Sequence, residues 1–113
     1  MMRTVLLATV AATLATPVTS RTRNGIPQLD VRQTCRLAST LELADKQSFA
    51  GCMHDENAAK AQLADQWKGY PSAARARCSA ETMIGGSPSY VEIAVCIDMD
   101  KSVSQSFARG RGQ

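Results

Sequence analysis

The residues of this chain best able to do chemistry are Cys35, Cys52, Cys78 and Cys96, His54, and a few paired acids. Zinc sites bring two ligands close together in sequence, as in C-x2-C. Here the nearest cysteines are 17 residues apart, a spacing that suits disulfides better than metal. A C-x-x-C redox pair is absent. His54, Asp55 and Glu56 are consecutive, so on a helix they point about 100° apart and do not converge. His54 falls off the apolar stripe around it and reads as a solvated histidine. Asp98 and Asp100 lack the glycine and spaced acids of a calcium loop. No nucleophile elbow, phosphate loop or dinucleotide fingerprint is present. The expectation is a chain with no catalytic residue, no metal site and no cofactor.

Four residues remain as candidates for binding. Glu56 and Lys60 lie four apart, inside an apolar stripe. The plain reading is an i,i+4 ion pair at the edge of the core, with the Lys60 stem over apolar surface. The sharper reading is a polar contact point in a groove. Trp67 and Tyr70 flank the turn before Pro71 and could form a ligand patch, although aromatics beside a helix end more often close the core.

The cysteines also speak to compartment. Disulfides persist where the surroundings are oxidising. The segment 1–20 has the parts of an export signal, expected to be cleaved: Arg3, an apolar run Val5–Ala15 too short to span a bilayer, then Pro17 and small residues. Cleavage is expected after Ser20, with Ala15 as the second choice. No cysteine lies near the cut to carry a lipid, and no arginine pair precedes the apolar run. No later segment reads as transmembrane. The expected location is periplasmic or secreted.

Removing 20 residues leaves 93, one small domain, for which disulfides are the usual brace. The net charge of +3 misleads. Arg21 and Arg23 lie before the domain, and Arg109 and Arg111 lie after it. Between Asp30 and Lys101 there are 8 basic and 10 acidic residues, a balance of −2.

The elements that must position these residues are helical. Residues 21–29 carry Gly25 and Pro27 without periodicity and read as a flexible arm. Asp30 can cap a first helix to about Thr40. Asp45 can cap a second, to about Lys68, with Phe49, Cys52, Met53, Ala59, Leu63 and Trp67 on one stripe. Gly69 in a left-handed position, followed by Pro71, ends it. Ser72 can cap a third helix, to about Met83, stopped by Gly85 and Gly86. Ser89 and Glu92 have the spacing of a capping box for a fourth, to about Ser104. Val91, Ile93, Val95 and Ile97 make a strand the alternative there; the capping box and the helical neighbours favour helix. This helix is apolar nearly all round, which marks it as the central buried one or as the cover of a partner surface. Residues 105–113 read as a disordered basic tail.

Residues equidistant from a hairpin turn sit opposite each other. Cys35 and Cys52 are centred between Leu43 and Ala44; Cys78 and Cys96 are centred on Ser87. Bonding Cys52 to Cys78 would bridge the turn at Tyr70 with 18 residues on one side and 8 on the other. That mismatch is about 15 Å of helix, where a disulfide tolerates about 7 Å between Cα atoms. The expected fold is therefore all-α: four short helices as two antiparallel hairpins, stapled by Cys35–Cys52 and Cys78–Cys96.

The segments CMHDE at 52–56, QWKGYP at 66–71 and GGSPSYVEIAVC at 85–96 resemble a group of small exported four-cysteine proteins of soil-dwelling alphaproteobacteria. The likeness covers about residues 34–100, and GG-x-PSYVE followed by cysteine is its most specific part. It implies an exported helical domain, and no mechanism or catalytic residue.

The expected function is a non-enzymatic binding or envelope protein that engages an unknown protein or envelope component through an apolar groove or its last helix. A homo-oligomer through that helix is a further possibility. Nucleic acid is not an expected partner, because an exported protein meets little of it; the arginines of the tail suit anionic lipid or envelope polymer better. The alternatives are a periplasmic stress holdase, a small hydrolase inhibitor and, from another class, a small enzyme.

Overall fold

A computed structural model of the protein describes residues 25–40 and 48–112. The expected signal segment and its cleavage positions, the expected turn at Leu43–Ala44 and the expected Asp45 cap lie outside the described residues. The chain is all-α: α1 (Val31–Thr40), α2 (Phe49–Gln66), α3 (Ser72–Thr82) and α4 (Tyr90–Arg111), with a 3-10 turn at Trp67–Gly69. Helix α1 packs on α2 and α3 on α4, while α2 and α4 meet in the middle. Both expected disulfides are formed. Cys35–Cys52 ties α1 to α2 and Cys78–Cys96 ties α3 to α4, with Cα atoms 5.5 and 5.7 Å apart. Each stapled pair is a hairpin half, and the α2–α4 contact joins the halves.

The core follows the helical periods. Leu63 and Trp67 from the second helical segment meet Tyr90, Ile93 and Ile97 of α4, and Ile26, Val31 and Cys78 join the cluster. Helix α4 is central, but only along this one face.

Local chemistry shifts several boundaries. Ser48 caps α2, its side chain accepting from the Gly51 N–H at 3.0 Å. Gly69 is not left-handed; α2 instead tightens into the 3-10 turn, closed by the Tyr70 N–H on the Trp67 carbonyl at 3.2 Å. Pro71, not Ser72, holds the cap position of α3, and Ser72 is its first helical residue. Gly85 and Gly86 turn the chain toward α4 with φ of 87° and 78°, backbone that other residues rarely adopt.

The two ends of the domain differ most from expectation. Part of the segment read as a flexible arm is fixed. Ile26 is buried in the core, and the Tyr90 hydroxyl holds the strap Gly25–Leu29 from both sides. It accepts from the Leu29 N–H at 3.0 Å and donates to the Pro27 carbonyl at 2.9 Å. At the other end α4 runs on through Arg111, so residues 105–111 are helical rather than disordered. Ser102 and Ser106 bond back to the carbonyls of Asp98 and Ser102, each at 3.0 Å. Arg109 and Arg111 sit in the last turn, where cations suit the helix C-terminus.

Candidate functional site

Among the described residues three polar ones are buried, Glu56, Thr82 and Ser89, and all three meet at the start of α4. Ser89 is its N-cap and accepts from the Glu92 N–H at 3.2 Å. This is half of the expected capping box. The other half is reassigned: the Ser89 N–H goes to the Thr82 hydroxyl at 2.8 Å, and the Glu92 carboxylate accepts from that hydroxyl at 3.0 Å.

Glu56 supplies the remaining acceptors. It does not pair with Lys60. One carboxylate oxygen takes the Ser89 hydroxyl at 2.5 Å and the other takes the Tyr90 N–H at 2.7 Å. The first N–H groups of a helix lack partners within it, and a negative side chain is favoured there. Glu56 thus acts as a cap delivered from another helix, and both its oxygens are engaged in doing so. Lys60 turns the other way. Its ammonium lies 5.4 Å from the centre of the Tyr90 ring and 3.4 Å from the Gln28 side chain, bracing the strap.

Trp67 and Tyr70 do meet, edge to face with ring centres 6.4 Å apart. Trp67 is buried and closes the core, with the Arg75 guanidinium 5.8 Å from its ring centre. Tyr70 is half-buried, donates to the Gln66 side chain at 3.0 Å, and lines a shallow groove with Pro71, Ala74, Ile97 and Lys101. Burial, then the negative charge of Asp98, pushes its phenol above the usual tyrosine range. The four candidate binding residues therefore do not form one site: Glu56 caps α4 and borders a separate pocket beside Leu37 and Val91, Lys60 braces the strap, Trp67 closes the core, and Tyr70 lines its own groove.

His54 is exposed, beside Asp55 at 3.3 Å. Among the described residues no three His, Cys, Asp or Glu side chains gather as a metal site would need. No helix among them is long and apolar enough to cross a membrane.

The surface that stands out was missed as a pattern. Val91, Val95, Met99, Val103 and Phe107 recur every four residues along α4 and are all exposed, opposite its buried face. With Arg77 and Glu81 of α3 the first four border a groove of about 510 Å³, and Phe107 lies beyond it. Arg77 and Asp100 form an ion pair at its lip. The four-residue repeat was legible in the sequence, hidden by the larger count of apolar residues around it. Comparison with protein-family models, curated proteins and solved structures finds no match to the chain.

Proposed function

We propose that this chain is a non-enzymatic helical binding or envelope protein of an oxidising compartment, the periplasm or beyond, and that the apolar row of α4 is its binding face. The observation that carries the reading is that row. Helix α4 already buries Tyr90, Ile93 and Ile97 in the core, yet it presents a second apolar line to solvent, with Met99 at 64 % and Phe107 at 66 % exposure. Contiguous exposed apolar surface bounded by charge marks interaction sites. One disulfide ties α4 to α3, the other ties α2, on which α4 packs, to α1, and both suit an oxidising location. The non-enzymatic part is supported by Glu56, a buried carboxylate whose two oxygens are both committed to capping.

The holdase reading is less favoured, because a holdase uncovers apolar surface under stress, whereas this row is exposed in the resting fold. A photo-reactive residue at Val95, compared with one at exposed Ala58 on α2, tests the binding face in intact cells. Discrete cross-links from Val95 alone are expected. Equal patterns from both positions would refute it. Thiol labelling without reduction tests the compartment, and labelled Cys35 or Cys78 would place the chain elsewhere.

A further inference from the structure

Helix α4 outruns the body it belongs to. Every described residue from Lys101 to Gly112 is exposed, a projection of roughly three turns, or about 16 Å. An unpacked helix that short is marginal in water, and this one contains Ser102, Ser104, Ser106 and Gly110, none of them strong helix formers. Its apolar side chains, Val103 and Phe107, continue the row that begins at Val91.

We propose that a second copy of this chain covers the row, the two α4 helices packing antiparallel about a two-fold axis at Met99. This rests on the reading of the row as a binding face. A two-fold contact uses the same patch on both partners and must be self-complementary. The row meets that condition. Its five members are centred on Met99; each four-residue step turns about 40° round the helix, so Met99 faces Met99 and Val95 meets Val103 of the second copy, with Val91 and Phe107 turned to the two edges of the contact. The projecting end of each α4 then crosses the groove between α3 and α4 of the other, with its Val103 against Val95.

Charge selects the direction. Glu92 stands in the first turn of α4 with Glu81 beside it on the groove, whereas Arg109 and Arg111 stand in the last turn. Antiparallel pairing brings the arginines of one copy to the acids of the other. Parallel pairing would set arginine against arginine.

The test uses the chain from Arg21 onward, in sedimentation equilibrium and in mild oxidation of single-cysteine variants. Wild type is expected to have the mass of two chains, and Met99→Lys the mass of one with unchanged helix content, since Met99 is exposed. Met99→Cys should form a bond between two copies. Val95→Cys should not bond to itself but should bond to Val103→Cys when the two are mixed. Reversing Arg109 and Arg111 to glutamate should weaken pairing by about tenfold, and adding Glu81→Arg should restore part of it. A dimer that survives Met99→Lys and gives no Met99→Cys bond pairs elsewhere and overturns the proposal. A monomeric wild type overturns it too. If the Val95 probe still cross-links another species, or the monomer sediments with vesicles of anionic lipid, the binding face stands with a different occupant. If neither occurs, the binding-face reading falls as well.

Discussion

The Glu56 carboxylate holds the backbone N–H of Tyr90 at 2.7 Å, across 34 positions of sequence. Its other oxygen holds the Ser89 hydroxyl. One side chain of α2 thereby fixes where α4 begins and docks the two disulfide-linked halves onto each other. Because the N–H and the hydroxyl are both buried, removing their acceptor strands them.

Glu56→Ala is accordingly expected to cost about 2–4 kcal/mol, well beyond the value of an exposed ion pair. Lys60→Met should stay within about 1 kcal/mol of wild type. Urea unfolding of the single and double variants separates the pictures. Glu56 should couple to Ser89 in a double-mutant cycle and be nearly additive with Lys60.

The strap gives a second test. Gly25 has a φ of 82°, and a Cβ there would sit 3.1 Å from the Trp67 ring. Gly25→Ala should destabilise by about 1–2 kcal/mol and shift the Trp67 fluorescence as the strap loosens. Tyr90→Phe, which removes both hydroxyl bonds to the strap, should cost about 1–3 kcal/mol. Proteolysis near residue 25 should quicken in each variant. An unchanged cleavage rate would show that the strap is not held by Tyr90.

Reduction should be severe. Each disulfide closes a loop of fewer than 20 residues and contributes about 3 kcal/mol in the chain-entropy picture. Together they rival the whole stability of a small domain. Circular dichroism of the reduced chain at 37 °C should show large loss of helix. Survival of the signal would mean that the Leu63–Trp67–Tyr90–Ile93 core suffices.

Tyr70 supplies a pH dependence. Its phenol is raised above the unfolded value of about 10 by burial and then by Asp98. The fold favours the neutral form. The resulting stability is complete below the unfolded pKa and is lost as pH rises through the folded one. Tyr70→Phe should flatten that part of the alkaline stability profile. A mutant profile parallel to wild type would remove Tyr70 from the account.

The disulfides were legible because each bonded pair is equidistant from a turn expected from the sequence, at Leu43–Ala44 or at Ser87, and helix patterning supplied the hairpins. The role of Glu56 was not. Its true partners lie 33 and 34 residues away, while Lys60 lies four away, and local spacing sees only the near neighbour. The strap was missed because Ile26 anchors it as a single apolar residue, with no period to detect. The length of α4 was misread because Arg109, Gly110 and Arg111 have the composition of a coil, yet in the last turn of a helix the two arginines complement its dipole.

Both disulfides join neighbours in chain order, first to second and third to fourth, and the two loops neither overlap nor nest. A thiol oxidant that met this polypeptide emerging from its N-terminus, and simply linked each new cysteine to the one still waiting, would make the right bonds at the first attempt. Maturation of this protein should therefore need an oxidase but no isomerase.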